Sequence, residues 1–155
     1  MSPSEARLAA LGYTLPPPPL PMGAYVPFRV DGTTVYLAGQ GPRKIGADGW
    51  HAGKVGRDVP IEVAREHARL VGLQLLAAMK AAAGSLERVE VLKVLGLVNA
   101  ADGFESHPTV IDGCSELFVS VLGERGRHAR SAIGAQSLPM NISVEIEAIC
   151  RIIPG

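Results

Sequence analysis

Apolar residues recur along this chain at two spacings, and the switches between them divide it into elements. Ile61, Ala64, Ala68, Val71, Leu75 and Ala78 follow one another at three- and four-residue steps, the stripe of a helix with one buried face. Asp58 and Pro60 open that helix and Gly84 closes it. Off the stripe, Glu62/Arg65 and Glu66/Arg69 stand at i,i+3 spacing and predict a solvated, ion-paired face. A second stripe of Val110, Cys114, Leu117 and Val121 begins at Pro108 and ends at Gly123. Between the two helices, Arg88 to Asn99 is dominated by Val and Leu, the pattern of a strand buried on both sides.

Shorter runs complete the order. Val26–Val30 and Thr34–Ala38 flank Asp31-Gly32, a strong hairpin signal. Arg130–Gln136 and Ile142–Ile153 predict two more strands joined through Leu138-Pro139. At the start, Ser2, Pro3 and Glu5 occupy the positions of an N-cap, a first-turn proline and a capping-box acid. A short helix therefore runs to about Leu11, with Gly12 ending it. Pro16 to Pro19 and Pro21 then form a stiff stretch with no donors for a sheet. The expected organisation is an arm over residues 1–22, laid on the surface of one α+β domain over residues 23–155. Two helices cover one face of a mixed sheet, so the other face of the 88–99 strand calls for a second copy of the chain.

Composition narrows the function. Fifteen basic residues balance fifteen acidic ones over 155 residues, so no overall field draws the protein to nucleic acid or anionic lipid. No apolar run is long enough to span a bilayer, and the N-terminus lacks the pattern of a secretory signal. Cys114 and Cys150 have no CxxC spacing and fit two buried thiols in a reducing compartment. The expectation is a cytoplasmic protein. Gly39 to Gly56 is glycine-rich, yet Lys54 precedes Val55 rather than Ser or Thr, which excludes a phosphate loop there.

The C-terminal strands hold the most informative chemistry. Arg130, Ala132 and Gly134 share one face by strand alternation. A guanidinium followed by two very small residues reads either as a carboxylate pocket or as a structural Arg paired with a nearby acid. Ser143, Glu145 and Glu147 share a face of the last strand, exposed, paired with Arg or held at a site. The four histidines (His51, His67, His107 and His128) show no ligand spacing; they are expected at the surface, with no metal. Ser131 has no His/Asp partner in sequence, which argues against a nucleophilic triad.

Arg130-Ser131-Ala132-Ile133, Leu138-Pro139 and Val144-Glu145-Ile146-Glu147-Ala148-Ile149 together resemble the C-terminal signature of the Rid (YjgF) family. Gly23-Ala24-Tyr25-Val26 resembles its early Gly-x-Tyr element, and Ala38-Gly39-Gln40 its Ser-Gly-Gln strand end. The resemblance covers roughly residues 23 to 153. It implies a chorismate-mutase-like fold, a homotrimer whose sheets form a central barrel, and a ligand cleft between subunits. It also implies hydrolysis of enamines and imines, small 2-imino acids, to keto acids and ammonia without a cofactor. By the same resemblance Arg130 binds the substrate carboxylate, Glu145 positions or activates water, and Tyr25 lines the cleft from the neighbouring subunit. Ala38 stands where active members usually have Ser, Ala132 where many have Cys, and Asp112 replaces an Asn. These changes mark a divergent subgroup and leave two competing expectations. One is a trimer that binds a small carboxylate-bearing metabolite without catalysis; the other is an endoribonuclease, which the neutral charge disfavours.

Overall fold

The structure, a computed structural model, describes residues 1–21 and 23–155. Met22, the last residue of the expected arm, lies outside the described residues. In chain order the elements are α1 (Pro3–Ala10), β1 (Phe28–Asp31), β2 (Thr34–Gln40), α2 (Ile61–Ala83), β3 (Val89–Asn99), α3 (His107–Leu122), β4 (Ala129–Ala135) and β5 (Val144–Ile152). The strands form a five-stranded sheet in the order β1-β2-β5-β3-β4. Its pairings are antiparallel except β3–β4, which is parallel and is bridged by α3 as a crossover. The α+β mixed sheet packed by helices is thus as the sequence pattern predicts.

Both long helices lie on one face of the sheet. Val35 and Leu37 of β2, Val94 and Val98 of β3, and Val144, Ile146 and Ala148 of β5 are buried against them. α2 and α3 also meet each other at very short range. A Cβ placed on Gly113 would lie 2.1 Å from the carbonyl oxygen of Arg65, so the helices touch backbone to backbone. Gly84 ends α2 with φ 85°, the left-handed cap that glycine adopts without strain.

The opposite face of the sheet is open within one chain. β3 alternates between fully buried residues and half-buried Leu95 and Leu97, and its outer side also carries Glu90 and exposed Lys93. Tyr36 of β2 and Ile133 of β4 are 48% and 50% exposed on that same side. One face is a finished core, and the other is an open surface of mixed character.

The N-terminal helix is docked on the domain. Ser2 and Glu5 form the predicted capping box. Leu8 is in the core, and Arg7 Nε donates to the Val121 carbonyl at 2.8 Å. On α2 the Glu66–Arg69 pair forms at 2.5 Å, but Arg65 reaches across to Glu116 of α3 at 2.8 Å instead of pairing with Glu62. Both cysteines are free and buried, and burial pushes the Cys150 thiol up to about 12.

Candidate active site

Glu145 sits near the start of β5, where the pleat turns its side chain to the open face between β2 and β3. Its neighbour across the strand is Gly39, and a Cβ there would come within 3.0 Å of Glu145 Oε2. The glycine therefore leaves room for the carboxylate to lie against the backbone. A cavity of about 310 Å³ opens over it, lined by Tyr25, Gly39, Gln40, Trp50, Met140 and Ile142 among others. Partial burial, with the like charge of Glu147 on the same face, raises the Glu145 pKa above the ordinary carboxylate value. A carboxyl group in a cavity with its pKa moved toward neutrality is suited to exchanging protons with a bound molecule. Ala38 is half-buried on β2 beside this cavity, but the wall is formed by Gly39 and Gln40.

The cavity is held from behind by Gln74 of α2, itself 5% exposed. Its amide nitrogen donates to the Gly41 carbonyl at 2.8 Å, and its amide oxygen accepts from Arg43 N at 3.1 Å. Nothing in the apolar periodicity of α2 marks Gln74 as different from the surrounding core. Arg43 in turn lies over the Trp50 ring, 4.9 Å from its centroid.

Arg130 lies on the other side of the sheet. Strand parity sends it toward α3, where Nη1 donates to Asp112 Oδ1 at 2.7 Å and to Ser115 Oγ at 3.1 Å. The small residues that follow it on its own face lie close to other side chains. Ala132 packs against the core, and a Cβ on Gly134 would meet His107 Nε2 at 2.6 Å. Of the two alternatives for Arg130, the contacts within one chain are those of an Arg paired with an acid. That acid is Asp112, and Glu145 is excluded as its partner within one chain because it faces the opposite way.

The Arg130 contacts extend into a chain that sequence reading missed. His128 Nδ1 lies 2.7 Å from the Gly126 carbonyl, and Nε2 lies 2.9 Å from Ser115 Oγ. The carbonyl can only accept, so Nδ1 carries the proton, Nε2 is bare, and the Ser115 hydroxyl donates to it. Burial, followed by the charge of Arg130, lowers the His128 pKa and keeps the ring neutral, although the Gly126 bond works the other way. A sequence signal did exist, because Asp112 and Ser115 are three residues apart and share one helix face.

The placement of His67 corrects the expectation of a surface position. His67 is only 8% exposed, with Nδ1 2.7 Å from the buried Ser143 Oγ. His51 stacks on it at 4.4 Å between ring centroids. Burial lowers the His67 pKa to about 4. Among the described residues no group of three or more His, Cys, Asp or Glu could hold a metal ion. No helix among them is long and apolar enough to cross a membrane.

Residues 5–150 match the family described as "YjgF/chorismate_mutase-like, putative endoribonuclease". Protein TCP17 of Trypanosoma cruzi is 35% identical over 149 residues, covering 95% of this chain and 92% of that protein. Among solved structures, the Agrobacterium tumefaciens protein Atu1372, of unknown function, shares 43% identity with a TM-score of 0.87, over 97% of this chain and 94% of its own. RidA from a Psychrobacter species shares 28% identity at a TM-score of 0.63, over 87% and 94%. With the signature strands, the fold and these relatives in agreement, the chain belongs to the YjgF/chorismate-mutase-like family.

Proposed function

We propose that this protein hydrolyses small 2-imino acids and their enamine tautomers to keto acids and ammonia, at clefts between the subunits of a cytoplasmic homotrimer. The observation that carries this reading is Glu145, a half-buried carboxyl group with a raised pKa at the wall of a cavity shared with Tyr25. Water adds to the carbon of the C=N bond while Glu145 takes one of its protons and passes it to nitrogen. The same carboxylate then moves the proton of the resulting hydroxyl to the amine, so that the C=O bond forms as the C–N bond breaks and ammonia leaves. Neither a metal nor an organic cofactor is needed, because the C=N carbon is already electrophilic and the protein supplies position and proton transfer.

Arg130 is the carboxylate anchor in this proposal. Arg130 and Glu145 face opposite sides of one sheet, so a substrate can touch both only if they come from different copies of the chain. In that arrangement Tyr25 and Glu145 belong to one subunit and Arg130 to its neighbour. The open sheet face, with half-buried Leu95 and Leu97 and exposed Ile133, is the surface through which copies would associate. The test is an imine-hydrolysis assay on the wild type and Glu145→Gln, beside light scattering. Accelerated loss of imine, abolished by the substitution, and a mass of three chains are expected. A monomer at micromolar concentration, or full activity in Glu145→Gln, contradicts the proposal.

One observation favours a second reading, a trimer that binds a carboxylate without turning it over. Asp112 already neutralises Arg130 at 2.7 Å, and Ala38 and Ala132 bring no polar group to the site. Keto-acid binding without imine hydrolysis is its signature. Endoribonuclease is a word in the family description and in the name of a Shewanella oneidensis relative, but the balanced charge lends RNA binding no support. RNA cleavage at physiological salt would revive it.

A further inference from the structure

The cavity over Glu145 is larger and more apolar than a methyl-bearing substrate requires, and part of its wall comes from an unexpected place. Pro19 and Leu20 of the proline-rich arm line it, opposite Trp50, Met140 and Ile142. Leu20 is 77% exposed and Met140 55%, although the core is well filled. Large apolar side chains left open around one carboxyl group form a wall waiting for an apolar partner. The indole is held in place from two sides. Arg43 lies over its ring, and Gly41 lacks the Cβ that would come within 3.3 Å of it. Gln74 fixes both of those backbone segments from the core.

We infer that this cavity receives the side chain of the substrate and selects aromatic or bulky branched 2-imino acids over the alanine-derived one. The inference rests on the deaminase reading and adds a substrate class to it. A dry cavity of about 150 Å³ is enough for a benzene ring, so about 310 Å³ admits a benzyl group together with the reacting carbon beside Glu145. A methyl group would leave Leu20, Trp50 and Met140 in contact with water. Each methylene accommodated by a hydrophobic pocket changes kcat/KM by roughly 10-fold or more. On this view the arm is a specificity element, and its prolines hold Leu20 in place at low conformational cost.

The experiment releases imines in situ from Phe, Leu and Ala with an amino-acid oxidase and compares their hydrolysis. Calorimetry with phenylpyruvate and pyruvate runs alongside. The phenylalanine-derived imine should be turned over at least ~10-fold more efficiently than the alanine-derived one, and phenylpyruvate should bind more tightly than pyruvate. Leu20→Ala, at an exposed position that cannot disturb folding, and Trp50→Ala should both reduce those ratios. Hydrolysis of all three imines at equal efficiency, or ratios unmoved by both variants, overturns the inference and leaves the deaminase reading standing. If no imine is hydrolysed, the deaminase reading falls, and the keto-acid ratios still decide the pocket: phenylpyruvate binding no tighter than pyruvate overturns it.

Discussion

The two faces of the sheet are built from the same strands but obey different rules. On the helix-covered face the central strands are committed: Val35, Val94, Val98, Val144 and Ile146 are fully buried, glycines permit backbone contact, and even Arg130 is tied to Asp112 and Ser115. On the open face leucines are half-buried, charges stand beside them, and Glu145 carries a raised pKa. The covered face is optimised for stability. The open face holds groups that cost stability, as surfaces reserved for binding commonly do.

The largest expected contrast comes from enlarging one small side chain on each face, by one carbon at Gly113 and by two at Ala129. Gly113→Ala forces the α2 and α3 backbones apart, since the new Cβ would sit 2.1 Å from the Arg65 oxygen. The cost should exceed about 3 kcal/mol, the upper end of ordinary overpacking. Chemical denaturation reads it directly, against a change within about 0.5 kcal/mol for Ala129→Val on the exposed outer side of β4. A mild Gly113→Ala would mean that the covered face is not rigidly packed.

The faces should also respond to pH with opposite signs. The buried His67 has its pKa lowered to about 4, so between the unfolded value near 6.5 and about 4 the unfolded chain binds more protons than the native one. Stability should therefore fall as pH drops through that window, by on the order of 2–3 kcal/mol in all. His51 and His128, also lowered, act in the same direction. His67→Gln should flatten much of the slope. Glu145, with its pKa raised, opposes stability once it ionises, so Glu145→Gln should raise the melting temperature at neutral pH. Unchanged pH profiles in both variants would erase the contrast.

Arg130 tests whether a residue on the covered face still serves a ligand. Replacing it by Ala, or nearly as severely by Lys, should weaken keto-acid binding by roughly 1.5–3 kcal/mol, about one to two decades. Melting should change little, because the Asp112 side chain is 39% exposed and can return to water. A steep loss of melting temperature with unchanged binding would make Arg130 purely structural. The smallest effect is expected from Asp112→Asn, which removes the competing carboxylate. A partly exposed pair of this kind is worth up to about 1 kcal/mol, so anion affinity should rise up to about fivefold. Weaker binding instead would assign Asp112 a supporting role.

Much of this division was legible in the sequence, and the gaps have physical causes. The stripe from Ile61 to Ala78 is a periodic signal, and α2 runs from Ile61 to the Gly84 cap as predicted. Strand alternation correctly grouped Arg130 with Ala132 and Gly134, and Glu145 with Glu147, but it wrongly added Ser143, which precedes β5 and is buried against His67 of α2. It could not say which face α3 would cover, because parity within a strand carries no information about the next layer. His67 was misplaced on its polar type alone, although it stands three residues after Ala64 and four before Val71 at the edge of the buried stripe, and only the fold brings Ser143 and His51 onto it. The Ser115–His128 bond depends on the turn at Gly126, a tertiary detail without a sequence period.

The strand order has a consequence for how the chain reaches this state. β5, the last strand in sequence, lies at the centre of the sheet between β2 and β3. Until residues 144–152 are available, β1–β2 and β3–β4 are separate ribbons with no hydrogen bond between them. A nascent chain emerging from the ribosome therefore carries two unpaired inner edges and cannot close its core. The sheet-forming step therefore waits for residues 144–152, is dominated by contacts of large sequence separation, and is slow for a domain of this size and open to chaperones while it lasts.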